Sequence, residues 1–493
     1  MFEKITPEMA GVTSHAVAEY ISVLERYHAS THGFVMMKGD KIFAEHYWAP
    51  FHKDFCHRMY SQTKSFVSVA IGLLVEDGKL SLDDRICDLF PEKQSTEADV
   101  YLSKQTVREM LTMTTVGQHK NWFAEGAYDR TELYFSDRKI TRPPSTLWEY
   151  DSAGSQVMCD LVEKLSGMKM FDFLNERIFK HMGTFKTARI LKTPNGVSWG
   201  DSAMLCTVRD TASFGRFVMN YGTWNGERLM NEEYLKVATS KVVDNTTSSH
   251  VNVYYGEGYG YQFWRVYGGG FAMIGMGDQL TLCYPEADMI LSITSDNQGS
   301  DIIRQFIIGG FYDLIVRNAK KEALPEDKCA ESHLAEATKD LKLRSVKGQP
   351  DSPMREEING TVYECESNRM GIKSFSFHFK NESEGEFRYT NAQGDKVIPF
   401  GINKNVFGKF PELGYSNEFG GARTDDGFTY NDAVSCAWLQ DNKLILFVQI
   451  IDNYFGNMSA IFGFRDGDCA VSMEKTAEDF LGTYQGTMLA HKK

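Results

Sequence analysis

Apolar residues after Ser61 fall at Val67, Ala70, Ile71, Leu74 and Val75, the spacing of one helical face, and Gly78 stands where a left-handed residue would end the helix. Val157, Leu161 and Leu165, followed by Gly167, repeat that grammar, and Phe171, Leu174 and Ile178 predict another helix directly after. Strand-like runs occur at Gly33–Met37, Leu280–Tyr284 and Met289–Thr294. Strands from the first and last thirds of this region thus bracket a helical middle. The reading is α+β: a sheet built from both chain ends, with a mostly helical insertion between them.

The texture changes after residue 318. Ala319–Arg344 is dense in charge, with Leu334, Ala337 and Leu341 spaced for a short exposed helix, and Gly348–Pro353 has linker composition. Beyond it the period becomes two. Phe375, Phe377 and Phe379 alternate with Ser374, Ser376 and His378, and Leu444–Ile451 is an almost unbroken apolar run suited to a central strand. The expected organisation is therefore a domain over 1–318, a charged linker over 319–354 and an all-β domain over 355–493, a lipocalin-like barrel or a sandwich. The Phe-rich pattern of the last domain reads as its core rather than a ligand cavity.

Composition narrows the function. The 493 residues carry a net charge of −13 with no block of Lys and Arg, which disfavours a nucleic-acid partner. The longest mainly apolar stretch, Phe66–Val75, is half the length a membrane-spanning helix needs. The first residues lack a basic region followed by an apolar one, and nine unpatterned cysteines fit a reducing compartment, so a cytoplasmic location is expected.

The chemistry concentrates at Ser61-Gln62-Thr63-Lys64. Residues three apart share a helix face, so a Ser at the first turn and a Lys one turn on can meet. A serine hydroxyl attacks only when a neighbour takes its proton, and a lysine can do so only as the neutral amine, which burial and a helix N-terminus both favour. The same helix end offers the Ser61 amide to an oxyanion. Taken alone, the spacing reads sooner as a capping Ser and a surface Lys than as a catalytic pair; Lys64-Ser65 lacks the preceding glycines of a phosphate loop. A second cluster, Pro143–Ser152, changes that balance, because its Tyr150 stands two residues before Ser152 at a helix entry and could relay a proton.

At this point residues 5–316 resemble the serine β-lactamase-like hydrolases, a family of class C β-lactamases, DD-peptidases, esterases and 6-aminohexanoate-dimer hydrolases. Ser61–Lys64 with Val75–Asp84 resembles the nucleophile helix and its exit, and Val107–Gly117 the L-L-x-H-T-S-G segment. Pro143–Ser152 is similar to P-P-G-T…Y-x-N, and Cys206–Asp210 and Gly222–Gly226 to T-A-R-D and G-x-W-N-G. The resemblance implies a β-lactamase-like antiparallel sheet flanked by helices, with no cofactor or metal. It implies Ser61 as acylated nucleophile, Lys64 as proton acceptor and Tyr150 as general acid and base, with oxyanion donors from the amides of Ser61 and, near Gly275, Met276. Gln62, Ser152 and Trp264 complete the expected pocket set. Gly270–Gln279 departs from the family's K-T-G or H-x-G triplet by carrying no cation, and Ser152 replaces the usual Asn. A wall of Phe, Ala, Met and Ile would leave a buried substrate carboxylate unpaired, so the expected substrate is a small-molecule ester or amide, or a short peptide, with a neutral acyl group.

Other features carry less. His28 and His32 lack a third metal ligand, Cys56 and Cys87 lack a patterned His, and Gly256–Gly260 lacks a dinucleotide-binding context. His119, Trp122 and Tyr128 lie in a long connection that could wall a pocket. Two other functions stay open: an acyltransferase using the same acyl-serine, and a non-catalytic penicillin-binding-like regulator. The C-terminal domain could cover the pocket or pair subunits into a homo-oligomer.

Overall fold

The computed structural model describes residues 2–94, 99–117, 128–136, 140–249, 251–300, 302–414, 416–420, 428–452, 454–477 and 484–493. The chain divides into two compact units, Met1–Lys342 with Glu418–Gly420, and Leu343–Asn417 with Gly421–Lys493.

The first unit is organised by a seven-stranded sheet in the order Glu3–Lys4, Lys41–Tyr47, Thr31–Lys38, Met289–Ser295, Gln279–Tyr284, Gly270–Gly275 and Trp264–Val266. It is antiparallel except for its first pair. The strand Thr31–Lys38 lies beside the last strand of the unit, Phe34 opposite Ile293 and Met36 opposite Leu291, so early and late segments build the sheet centre as the pattern predicts. Both faces are covered. Phe34, Met36, Leu282 and Leu291 pack with Val17, Tyr20 and Leu24 of the helix Ser14–Arg26, with Ile307 of the helix Ile303–Gly310 and with Phe311 directly after it. On the other face the helix Val208–Met219 comes so close that a Cβ on Gly215 would lie 2.7 Å from Thr281 Cγ2, and Thr211 Oγ1 bonds Ser292 Oγ at 2.6 Å.

The helix Thr63–Glu76 is buried all round as far as Leu74, not on one face alone. Each non-apolar residue on its back has a specific partner. Ser65 Oγ donates to Gln262 O at 2.7 Å, Ser68 Oγ bonds Tyr234 Oη at 3.1 Å, and Gly72 leaves room for the Tyr234 ring and the Met230 methyl. Phe66 stacks on Phe214 at 4.0 Å between ring centroids. Gln262 is the joint of this layer. Its amide nitrogen donates to Met110 O at 3.0 Å and Leu111 O at 3.1 Å, and its amide oxygen accepts from Ser155 Oγ at 2.8 Å. Gln262→Ala should therefore strand buried groups on two helices and lower the unfolding free energy by about 2–4 kcal/mol, read from a urea titration.

Two buried imidazoles underlie the chain just before Ser61. His32 Nδ1 and His57 Nε2 are 3.1 Å apart, and Phe51 stacks on His32 at 3.8 Å. Burial holds His57 down at about 3 and His32 well below the usual histidine range. The unfolded chain binds these protons near pH 6.5 and the native one does not, so stability is complete above about pH 6.5 and falls as the medium is acidified. A loss of about 4 kcal/mol between pH 7 and 5, about 2 from each imidazole, is expected, seen as a lower urea midpoint; a flat profile over that window would contradict it.

The second unit is a closed barrel of nine strands: Val362–Cys365, Ser374–Asn381, Glu384–Asn391, Gly394–Ile402, Thr429–Gln440, Lys443–Ile451, Phe455–Arg465, Asp468–Ala477 and Gly486–Lys492. Parallel pairing of Gly401 and Ile402 with Ser435 and Cys436 closes the ring, and Val406–Leu413 adds to the strand Thr429–Gln440. Of the two expected forms, barrel or sandwich, it is the barrel. Phe375, Phe377, Phe387 and Phe462 fill its interior, with Phe377 and Phe462 at 4.9 Å edge-to-face, whereas Phe379 is only half-buried. Gln349 exchanges backbone hydrogen bonds with Trp438, so the Gly348–Pro353 stretch lies along the barrel. In the first unit the charged segment forms the helix Lys328–Thr338, which ends before Leu341.

Candidate active site

Ser61 sits in the 3₁₀ turn Tyr60–Gln62 that leads into the helix Thr63–Glu76. The turn is held from both sides. Its approach, His57–Arg58, pairs with Leu205 and Cys206; Met59 N donates to Met204 O at 2.7 Å; and Met204 N donates to Thr63 Oγ1 at 3.1 Å. Tyr60 adopts a positive φ of 47°, and the Arg58 guanidinium lies 4.4 Å over its ring, fixing a bend that a tyrosine disfavours.

Lys64 Nζ is buried and donates to Ser61 Oγ at 2.9 Å and to the backbone carbonyl of Asp201 at 2.7 Å. The Tyr150 ring lies 5.0 Å from the same nitrogen, centroid to Nζ. The structure therefore brings Ser61, Lys64 and Tyr150 together. Tyr150 gets there through its neighbours. Asp151 caps the helix Ser152–Ser166 by accepting from Gly154 N at 3.0 Å and also accepts from Thr115 Oγ1 at 2.8 Å; Glu149 N donates to Met113 O at 3.0 Å. Trp264 is buried and stacks on Tyr150 at 5.6 Å, within an aromatic group that includes Trp148 and Tyr259. It braces the phenol from behind.

The strand Gly270–Gly275 ends against the Ser61 turn. A Cβ on Gly275 would lie 2.2 Å from Met59 O, so only glycine permits this approach. Met276, Gly277 and Asp278 form the turn to Gln279, and Met276 is 42% exposed. Phe271, Ala272, Met273 and Ile274 do not wall a pocket. All four are buried, because helices cover both faces of the sheet and period two sends alternate side chains into each. Nor is the turn without a cation. Arg304, from the helix Ile303–Gly310, donates to Asp278 Oδ1 at 2.7 Å, and Asn297 Nδ2 donates to Asp278 Oδ2 at 3.1 Å. Its charge is matched by Asp278. The arginine arrives from a helix far along the chain, so no local motif announced it.

Gln62 is fully buried and accepts from Thr281 Oγ1 at 2.9 Å, tying the turn to the sheet rather than lining an opening. Ser152 is half-buried in the first turn of its helix. His119 and Trp122 lie outside the described residues, and Tyr128 is exposed. Asp201 was missed by sequence reasoning: its side chain is buried, with Oδ2 3.9 Å from Lys64 Nζ, and burial pushes its carboxyl up against the opposing pull of Lys64, Arg130 and Arg58. Among the described residues no group of three or more His, Cys, Asp or Glu side chains could hold a metal ion, and no helix is long and apolar enough to cross a membrane.

Comparison with known proteins matches this architecture. The 6-aminohexanoate-dimer hydrolase of Paenarthrobacter ureafaciens is 22% identical over 247 residues, 47% of this chain and 63% of that protein. The chain spans less than two thirds of the length of the curated relatives it matches, 63% and 65%. Among solved structures, EstCE1, a hydrolase with promiscuous acyltransferase activity, superposes with a TM-score of 0.51 at 12% identity, covering 61% of this chain and 99% of that one. The octameric penicillin-binding protein homologue from Pyrococcus abyssi superposes with a TM-score of 0.50 at 14% identity, covering 96% of this chain and 99% of that one. A family profile matches residues 17–304, a stretch that holds Ser61, Lys64, Tyr150 and six of the seven strands of the sheet, and the chain thereby belongs to the beta-lactamase family.

Proposed function

We propose that the protein is a serine hydrolase that cleaves an ester or amide bond through an acyl-enzyme on Ser61. The observation that carries this reading is the 2.9 Å contact between Lys64 Nζ and Ser61 Oγ under the Tyr150 ring. As a neutral amine, Lys64 takes the Ser61 proton while Oγ adds to the substrate carbonyl. The oxyanion is held by the Ser61 amide and by the Met276 amide at the end of the Gly270–Gly275 strand. Tyr150 passes a proton to the departing alcohol or amine and is resupplied from Lys64; water then releases the acyl group by the reverse route.

The matched charges of Arg304 and Asp278 beside the oxyanion turn favour a neutral acyl group over one bearing a carboxylate. The Paenarthrobacter relative, a hydrolase of the 6-aminohexanoate dimer, supports linear amides as one substrate class. EstCE1 supports a second reading, transfer of the acyl group to an added alcohol or amine. A screen of nitrophenyl esters, linear amides, D-amino acid amides and β-lactams, with intact-mass detection of the acylated chain and with and without an added acceptor, tests both. Absence of turnover and of a Ser61 adduct with every substrate would favour a regulator instead. The Pyrococcus abyssi homologue is octameric; self-association of this chain is likewise a proposal, which native mass measurement checks.

A further inference from the structure

Asp201 is placed where a side chain can act on Lys64. The segment Trp199–Cys206 is pinned to the nucleophile turn at Met59 and Thr63, and Gly200 admits it so closely that a Cβ there would lie 2.2 Å from Cys159 Cβ. Asp201 then presents two groups to one nitrogen. Its carbonyl accepts from Lys64 Nζ at 2.7 Å, and its carboxylate Oδ2 lies 3.9 Å away. The side chain is 4% exposed, and Oδ1 has no hydrogen-bond partner. A buried carboxylate with an unpartnered oxygen is costly and persists where surrounding positive charge compensates it. The surrounding groups are Lys64 from the nucleophile helix, Arg58 from the strand before it, Arg130 from the helix Arg130–Ser136, and Cys159 from the helix Ser152–Ser166, with the Tyr150 ring beyond Lys64. The Arg58 guanidinium is held by Ser202, donating to its carbonyl and its hydroxyl, each at 2.9 Å.

We propose that Asp201 is a positioning residue for the acylation step: its carboxylate stabilises the ammonium that forms when Lys64 takes the proton of Ser61, while its carbonyl aims Nζ at Oγ. This rests on the Ser61–Lys64 reading above. The proton count is unchanged by Asp201, which stays ionised throughout: the Ser61 O–H bond breaks, an N–H bond forms on Lys64, and the serine oxygen bonds to the carbonyl carbon. The carboxylate accepts no proton and touches no substrate. Its effect is electrostatic, in the way a buried aspartate supports the imidazolium of a serine–histidine pair.

The test is the pH profile of kcat/KM for a neutral nitrophenyl ester in wild type and in Asp201→Asn, with active sites counted by fluorophosphonate labelling and folding followed by circular dichroism. Removing the negative charge while keeping the shape should lower the plateau on the order of tenfold per labelled site and move the acid limb to lower pH. The limb moves down because an ammonium without its carboxylate loses its proton more readily. Should Asp201→Asn fail to fold, Asp201→Ser, which leaves room for water, serves the same comparison. A limb at the wild-type position in whichever variant folds, with loss confined to the labelled fraction or melting temperature, overturns the proposal and leaves Asp201 a structural residue. Wild type that neither labels nor hydrolyses would instead overturn the hydrolase reading itself, so the two failures are distinguishable.

Discussion

Lys64→Ala is expected to abolish turnover, by on the order of 10³-fold or more in kcat/KM, as is Ser61→Ala. The reason is geometric: Lys64 Nζ, 2.9 Å from Ser61 Oγ, is the basic group shown in contact with that hydroxyl. Truncation also leaves the Asp201 carbonyl and carboxylate without their partner in a buried site, so the variant should melt earlier than wild type. Rates must therefore be normalised to folded protein. Tyr150→Phe separates the roles. It keeps the ring over Lys64 and the stack on Trp264 but removes the hydroxyl. Covalent labelling of Ser61 should persist while turnover of substrates with poor leaving groups collapses, because those need the proton most. Unchanged turnover in Lys64→Ala would sink the assigned base.

Gly275→Ala should produce the next largest loss, about 10²-fold in turnover, with slower labelling of Ser61. The added methyl would meet Met59 O at 2.2 Å and Gln279 Cβ at 3.1 Å, and the first of these is backbone. Neither neighbour can swing aside. Met59 N is fixed to Met204 O, and Gly275 pairs with Gln279 across the hairpin, so the strand end must move as a unit. The Met276 amide would move with it, away from the oxyanion it is proposed to hold. Activity close to wild type in Gly275→Ala would show that the oxyanion donors lie elsewhere.

Part of this site was legible because its geometry is local. Ser61 and Lys64 share one helical turn, so their meeting follows from spacing once the helix forms. The strands were legible for a related reason: unbroken apolar runs such as Met289–Thr294 suit a strand buried on both faces. The same covered faces explain what misled. Phe271, Ala272, Met273 and Ile274 read as a pocket wall, yet a strand between two helical layers buries every side chain. The helix Thr63–Glu76 read as amphipathic because Ser65, Ser68 and Gly72 interrupt its apolar pattern, whereas Gln262 and Tyr234 supply those positions with partners from elsewhere in the chain.

What the sequence alone determined is the identity of the candidate groups and the order of the elements that carry them: a serine with an amine one turn on, a phenol before a helix, and strands early and late in the unit around a helical middle. Only the tertiary structure decided which groups act on Lys64. The carbonyl and carboxylate of Asp201, the Trp264 stack behind Tyr150 and the Met59 oxygen that requires Gly275 all cross more than a hundred residues of sequence. Helical spacing fixes distances within one turn. Distances between elements are fixed by how buried faces and backbone partners dock, and no local pattern encodes that.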